Sequence, residues 1–445
     1  MGTRTAKVRR ILVANRGEIA VRVIRACREL GIETVAVYST ADADSLPVRM
    51  ADRAVCLGPP PSAKSYLVKE SLVTAALRTE CEAVHPGVGF LSENAAFARM
   101  VEKAGLIFIG PRSETIALLG DKVMARREAQ KAGLPVTPGT EEAVGNAEEA
   151  AAVVETLGFP LIIKAAAGGG GKGMRVVRSQ AEIGENIRLA MREAEANFAD
   201  GRVFIERFIE RPRHVELQLL SAGRGKTAVL GDRDCTVQRN HQKLIEESPS
   251  PAVTDEMRRR MMDGAVALFD RLDYAGAGTI EFLVEGGAFY FMEVNARVQV
   301  EHPVSEMVTG IDVIQEQIFA GTEGRTTLPP GPAPVRGHAI ECRINALSPG
   351  KVVRLEVPGG PGIRFDSFLY AGCNVPPYYD SMIAKLIVHA ADRAAAIAKM
   401  DGALRELVIE GVKTNAAEQR AVINDRVFQS GDYSTKFIEE FERRN

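Results

Sequence analysis

Strand-like and helix-like runs alternate through the first hundred residues, and that alternation leaves few folds open. RILVAN from Arg10 reads as a strand, IAVRVIRACREL as a helix closed by Gly31, and TVAVYS as a second strand, which makes a βαβ start. ESLVTAALRTE follows as a helix, CEAVHPG as a strand running into a turn, then a helix capped by Ser92 and ended by Gly105, then the strand LIFIG. Units of this kind assemble into a parallel sheet covered on both faces, so residues 1–118 are expected to form a doubly wound α/β domain. Its turn NRGE lacks the glycines of a dinucleotide fingerprint, which argues against a nicotinamide cofactor despite Asp42 after the second strand.

Asp121 reads as the N-cap of a helix KVMARREAQKA ended by Gly133. Lys122 then falls in the first helical turn, where a cation opposes the helix dipole unless an anion lies nearby. A small α/β segment spans roughly 137–208, centred on PLIIKAAAGGGGKGMRVV. A phosphate-binding P-loop would need Gly at 166 and Ser or Thr at 173, where the chain has Ala166 and Gly173, and a strand-like MRVV follows in place of a helix. The pattern is strand, glycine loop, strand, and such a loop can fold its backbone N–H groups over phosphates as a lid, with Lys164 and Lys172 supplying charge. Residues 203–325 read as α/β again. LPPGPAPVRG at 328–337 marks a boundary before a strand-rich end. Lys399, in A-I-A-K-M, superficially resembles a biotin attachment site but sits in a helical run of alanines and reads as an exposed helix lysine.

Two apolar runs flank Gly286 and Gly287 in TIEFLVEGGAFYFMEVN, a β-hairpin whose loop length decides what its acids can do. A three-residue loop, Gly286 to Ala288, pairs Glu281 directly with Glu293. A two-residue turn is the other option and puts those side chains on opposite faces. In the first register two carboxylates face each other about 5 Å apart, which is destabilising without a cation between them. Magnesium suits oxygen ligands of this kind, and Asn295 can add a carbonyl. If MEVNARVQVEH continues as a strand, Glu293, Asn295, Arg297, Gln299 and Glu301 share one face, a metal and phosphate floor with Glu301 as a candidate base.

Composition narrows the partners. At 445 residues, 46% apolar and a net charge of -2, the chain is expected to hold two or three globular domains and to bind neither nucleic acid nor membrane. No signal peptide and no run of eighteen apolar residues is read, so a cytoplasmic location is expected. Cys27, Cys56, Cys81, Cys235, Cys342 and Cys373 are far apart without a C-x-x-C pair, as expected of reduced core thiols.

The runs HPGVGFLSEN, IKAAAGGGGKGMR, ERFIERPRHVE, RDCTVQRNHQK, GTIEFL, MEVNARVQVEH, HAIECRIN and PPYYDSMIAK, in that order, resemble the biotin carboxylase family over almost the whole chain. The resemblance implies a Rossmann-like α/β N-terminal domain (1–118), an ATP-grasp domain with a glycine-rich lid (119–330) and a strand-rich C-terminal domain (331–445). It implies that Lys122, Lys164, Gly170, Gly171 and His214 contact ATP, with Glu206, Arg207, Phe208 and Ile209 at the adenine end and His241 nearby. Glu281, Glu293 and Asn295 would bind magnesium or manganese. Lys243, Arg297 and the backbone of Val300 would hold bicarbonate, Glu301 would deprotonate it, and Arg343 would face biotin; Cys235 with Lys243 is a second acid–base option. The implied partners are a biotin carboxyl carrier protein and carboxyltransferase subunits, as in acetyl-CoA carboxylase and fatty acid biosynthesis, with the chain a homodimer. With no A-M-K-M carrier lysine and no transferase region, a free-standing subunit is expected. The chain departs from the family pattern at Val88 (usually Tyr), Asn240 (usually Arg) and Leu347 (usually an acid), which bears on acceptor fit and rate. The competing readings are another carboxylate-activating ATP-grasp ligase and a non-catalytic nucleotide-binding regulator.

Overall fold

The computed structural model describes residues 8–140, 143–144, 157–165, 174–198 and 200–444. The expected α/β domain is present. Strands β1 (Arg10–Val13), β2 (Glu33–Ser39), β3 (Arg53–Gly58), β4 (Ala83–His85) and β5 (Ile107–Phe108) form a parallel sheet in the order β3-β2-β1-β4-β5. Helix α1 (Gly17–Glu29) buries one side against it through Ile19, Val23 and Ile24. The helix expected to be capped by Ser92 instead starts two residues later: α2 (Ala95–Lys103) is capped by Asn94, whose side chain accepts from the Phe97 N–H. Both residue types cap well, so the local sequence did not discriminate between them. Five of the six cysteines are buried as expected, but Cys56 is exposed on β3, an edge strand.

Helix α3 (Lys122–Lys131) begins where expected, with the Asp121 carboxylate accepting from the Val123 and Met124 N–H groups. Beyond it a small antiparallel sheet takes the order β7-β6-β8 from β6 (Leu161–Ala165), β7 (Arg175–Val177) and β8 (Val203–Arg207). The glycine loop joins β6 to β7. Gly170, Gly171 and Lys172 in it lie outside the described residues.

The largest element is a nine-stranded sheet. It is built from β9 (Arg213–Ala222), β10 (Thr227–Arg239), β11 (Gln242–Ser248), β12 (Ala275–Glu285), β13 (Ala288–Asn295), β14 (His338–Asn345), β15 (Ile363–Ser367) and β16 (Met382–Ala390). Their order is β13-β12-β9-β10-β11-β14-β16-β15, with the short strand Gly331–Pro332 pairing beside β10. The Pro-rich stretch therefore does not interrupt the sheet, because β14 adds directly to β11. The C-terminal region is not only strands; helix α4 (Arg393–Glu406) packs its Ala396, Ile397 and Met400 into the core under β14 and β16. Lys399 on α4 is not free, since its ammonium donates to the carbonyls of Pro361 (2.9 Å) and His389 (2.6 Å). Among the described residues no helix is long and apolar enough to cross a membrane.

The hairpin β12–β13 gives the expected pairing by an unexpected route. Glu281 does stand opposite Glu293, but the turn is the two-residue Gly286–Gly287, closed by the pair Glu285–Ala288. Both glycines take positive φ, +58° and +80°, as a type I′ turn requires. A register shift between Glu281 and Phe282, where Met292 is the extra residue, then restores the alignment of the two acids.

Candidate active site

Four neighbouring strands place one ionic row across the sheet. Arg233 on β10 pairs with Glu216 on β9, Glu216 with Glu281 on β12, and Glu281 with Glu293 on β13. Directly opposed residues share a face, so three carboxylates and one guanidinium line up there. Arg233 donates to the Glu216 carboxylate at 2.5 Å and to the Gln218 carbonyl oxygen at 2.6 Å. Lys243, from β11, lies over the row and donates to Glu216 (2.8 Å), Glu281 (3.0 Å) and Glu301 (2.5 Å).

Glu301 is fully buried and reaches this point from a loop, not a strand. β13 stops at Asn295, and 296–301 runs through bends into α5 (His302–Thr309). The alternation continues because Val298 plugs the core at 0% exposure while its polar neighbours turn toward the sheet. The second Glu301 oxygen accepts from Arg343 on β14 at 2.9 Å, and Arg343 also donates to Glu246 at 2.5 Å. Burial alone would raise the Glu301 carboxyl, but Lys243, Arg343 and Arg233 outweigh it and hold the group well below the usual carboxylate range. The Lys243 ammonium is kept charged in turn: Glu216, Glu281 and Glu301 overcome its desolvation. Cys235 donates a long S–H contact of 3.8 Å to Glu301, and its thiol is pushed far up by burial and by Glu216. A thiol held protonated in this way is a poor base, which weighs against Cys235 with Lys243 as the acid–base pair.

At the other end of the row, Glu281 pairs with His214 at 3.0 Å, and Lys243 and His214 hold it low against the effect of burial. Glu293 behaves oppositely. Burial and the facing Glu281 raise its carboxyl. Two opposed acids with all-oxygen donors, one of them short of positive charge, fit a hard divalent cation that also meets substrate phosphates. Asn295 sits beside them with its side-chain oxygen accepting from Arg297 at 3.2 Å. Arg297 donates to Glu93 of the N-terminal domain (2.7 Å) and to the Gln299 side chain (2.7 Å). Gln299 closes the ring by donating to Glu281 at 3.3 Å.

A second ionic group lies on the small sheet. Glu206 accepts from Lys164 (2.6 Å) and Arg126 (2.9 Å), and these cations with Lys122 hold it low despite burial. Arg207 and Phe208 tie the following backbone down by donating their N–H groups to the carbonyls of Pro138 and Pro160, and Ile209 is buried. His241 stands exposed in the β10–β11 turn with φ +63°.

Family profiles match in chain order: "Biotin carboxylase, N-terminal domain" over residues 7–116, "Carbamoyl-phosphate synthase L chain, ATP binding domain" over 121–325, and "Biotin carboxylase C-terminal domain" over 341–440. A biotin carboxylase of Allochromatium vinosum is 48% identical over 443 residues, covering 98% of this chain and 99% of that one. The chain belongs to the biotin carboxylase family. Its members are ATP-dependent ligases, and solved members superpose closely. The Campylobacter jejuni biotin carboxylase in its β,γ-ATP complex gives a TM-score of 0.94 at 42% identity, covering 98% of this chain and 99% of that one. The biotin carboxylase domain dimer of Hydrogenobacter thermophilus 2-oxoglutarate carboxylase, with MgADP, ADP and bicarbonate, gives 0.92 at 41%, covering 97% of each chain.

Four residues of this candidate site were not singled out from sequence: Glu93, Glu216, Arg233 and Glu246. Each lies inside or next to a recognisable run, but its importance comes from a cross-strand or interdomain neighbour. The alternation of His214, Glu216 and Gln218 with Val215, Leu217 and Leu219 in RHVELQLL, which puts Glu216 on one face with His214, is the signal that could have found Glu216. Of the departures from the family pattern, Val88 is half-buried on a loop pinned by Asn15, which donates to its carbonyl at 2.8 Å, while Leu347 is 66% exposed.

Proposed function

We propose that this chain carries out the first half-reaction of a biotin-dependent carboxylase, such as acetyl-CoA carboxylase, by transferring a carboxyl group from bicarbonate to biotin at the cost of ATP. The observation that carries the proposal is the buried Glu301 carboxylate gripped by Lys243 and Arg343. Bicarbonate is a poor nucleophile that still bears a proton. Held beside Lys243, Arg297 and the Val300 N–H, it meets an ionised, oriented base in Glu301, which takes that proton as a bicarbonate oxygen attacks the γ-phosphorus. The bond to the ADP oxygen breaks and carboxyphosphate forms.

Glu281, Glu293 and Asn295 would hold magnesium or manganese, which when bound offsets charge on the nucleotide phosphates. Lys122, Lys164 and His214 add positive charge on the phosphate side, and the segment Glu206 to Ile209 receives the adenine with His241 at the rim. Lys164 is held ready by its ion pair with Glu206. Carboxyphosphate then breaks down to carbon dioxide and phosphate. The phosphate removes the ureido proton of biotin, and Arg343 steadies the enolate oxygen while the nitrogen attacks carbon dioxide.

The biotin is borne by a carrier protein, carboxyltransferase subunits take the carboxyl group onward, and the chain works as a cytoplasmic homodimer. The test is formation of acid-labile carboxybiotin from labelled bicarbonate, MgATP and free biotin. Label incorporation matched by phosphate release supports the proposal; phosphate release without any carboxybiotin, or neither product, overturns it.

A further inference from the structure

The segment that carries Glu301 is a loop, and the C-terminal sheet holds it at two adjacent points. Arg343 on β14 and Lys385 on β16 are direct cross-strand partners, so their side chains leave the same face of the sheet side by side. Arg343 takes the Glu301 carboxylate at 2.9 Å, while Lys385 donates from its ammonium to the carbonyl oxygen of Val300 at 2.8 Å. One residue later the chain enters α5, where the His302 ring nitrogen Nδ1 lies 2.8 Å from the carbonyl oxygen of Gln299. Lys385 is the only cation in the strand MIAKLIVHA, apart from a titratable histidine, and it is 0% exposed. An ammonium there is costly to desolvate. Its counter-ion comes from the N-terminal domain, Glu18 on α1 at 3.0 Å, and Asp366 stands opposite on β15. Against burial, Glu18, Glu341 and Asp366 keep the ammonium charged. A core lysine this expensive, spending a hydrogen bond on the peptide next to the base, does something a leucine could not.

We infer that Lys385 is a positioning residue for the bicarbonate step: together with Arg343 it fixes the Val300–Glu301 segment, setting where the base and the Val300 N–H meet the anion. The inference rests on the function proposed above. Lys385 touches no reacting atom, and it acts through the peptide it holds. Displacement of a reacting group by about 1 Å costs on the order of a hundredfold in rate, and loss of a residue that orients a ligating or catalytic group typically costs about 10–100-fold.

The test compares Glu18→Gln, which removes the counter-charge but keeps the donor, with the double variant Glu18→Gln/Lys385→Met. The double variant leaves no lone ammonium or carboxylate of this pair buried, which protects its folding. Glu18→Gln is expected to lose stability while keeping kcat/KM for bicarbonate in biotin-independent ATP hydrolysis. The double variant should lose about 10–100-fold in that parameter, with its affinity for MgADP, read by calorimetry, equal to that of Glu18→Gln. Equal bicarbonate kinetics in the two variants would overturn the inference, and so would a loss matched by an equal loss of MgADP affinity, which would mean the lysine only braces the core. Wild-type protein lacking any bicarbonate-dependent hydrolysis would overturn the functional reading itself, and the inference with it.

Discussion

Arg343 joins two carboxylates, Glu246 and Glu301, and in the proposed reaction it also faces biotin. Replacing it with Ala removes the donor for the enolate oxygen but leaves Lys243 on Glu301. Carboxybiotin formed per phosphate released should therefore fall by about a hundred- to a thousandfold, with ATP cleavage falling much less. Parallel loss of both products from a folded variant would instead make the arginine a brace. Glu281→Gln and Glu293→Gln should each lower magnesium-dependent turnover by orders of magnitude without unfolding the chain, as activity assays beside circular dichroism would show. A third residue speaks through pH. Burial would raise the Glu247 carboxyl, but hydrogen bonds from His338 and Arg393 outweigh it and hold the group at about 2. A folded value below the unfolded one, near 4.3, means the stabilisation is full above that pH and is lost as pH falls toward 2. Glu247→Gln should thus cost roughly 3 kcal/mol in denaturant unfolding at pH 7, with the deficit shrinking as pH drops below about 4.

Among the elements, the β12–β13 hairpin shows what a sequence can and cannot declare. Its turn glycines sit at positive φ with open space around them, so Gly286→Ala and Gly287→Ala should each cost about 1 kcal/mol in urea unfolding and leave turnover unchanged. The facing of Glu281 and Glu293 was legible because acids in apolar runs on both sides of a Gly-Gly pair must be reconciled somehow. The tight turn and compensating bulge were not, since a bulge changes register without leaving a residue type behind. Beyond Asn295 the alternation of valines with Arg297, Gln299 and Glu301 imitated a strand. In the molecule it marks a loop with one valine in the core, and period-two patterning cannot separate those cases over so short a stretch. Glu216, Glu246 and Lys385 were missed for a related reason, because their partners lie on other strands and the pairing itself is not written locally.

For the whole molecule, the decisive feature is that one sheet runs from the hairpin to β15, carrying the opposed acids Glu281 and Glu293 at one end and Arg343 and Lys385 on strands of the other. Removing residues after 337 would strip β14–β16 from β11, expose that strand's edge, and delete Arg343 and Lys385, two of the three cations that hold the Glu301 segment, leaving Lys243. Such a fragment should aggregate on expression and show no bicarbonate-dependent ATP hydrolysis, whereas a soluble, active fragment would mean the two regions work independently. The central claim, that Glu301 held by Lys243 and Arg343 activates bicarbonate, is tested most directly by phosphate release from MgATP without biotin, with and without bicarbonate, for wild-type and Glu301→Gln protein. The account predicts release that rises with bicarbonate in the wild type and does not in the variant, with MgADP binding intact in both. Bicarbonate-stimulated release at the wild-type rate from folded Glu301→Gln protein would contradict it.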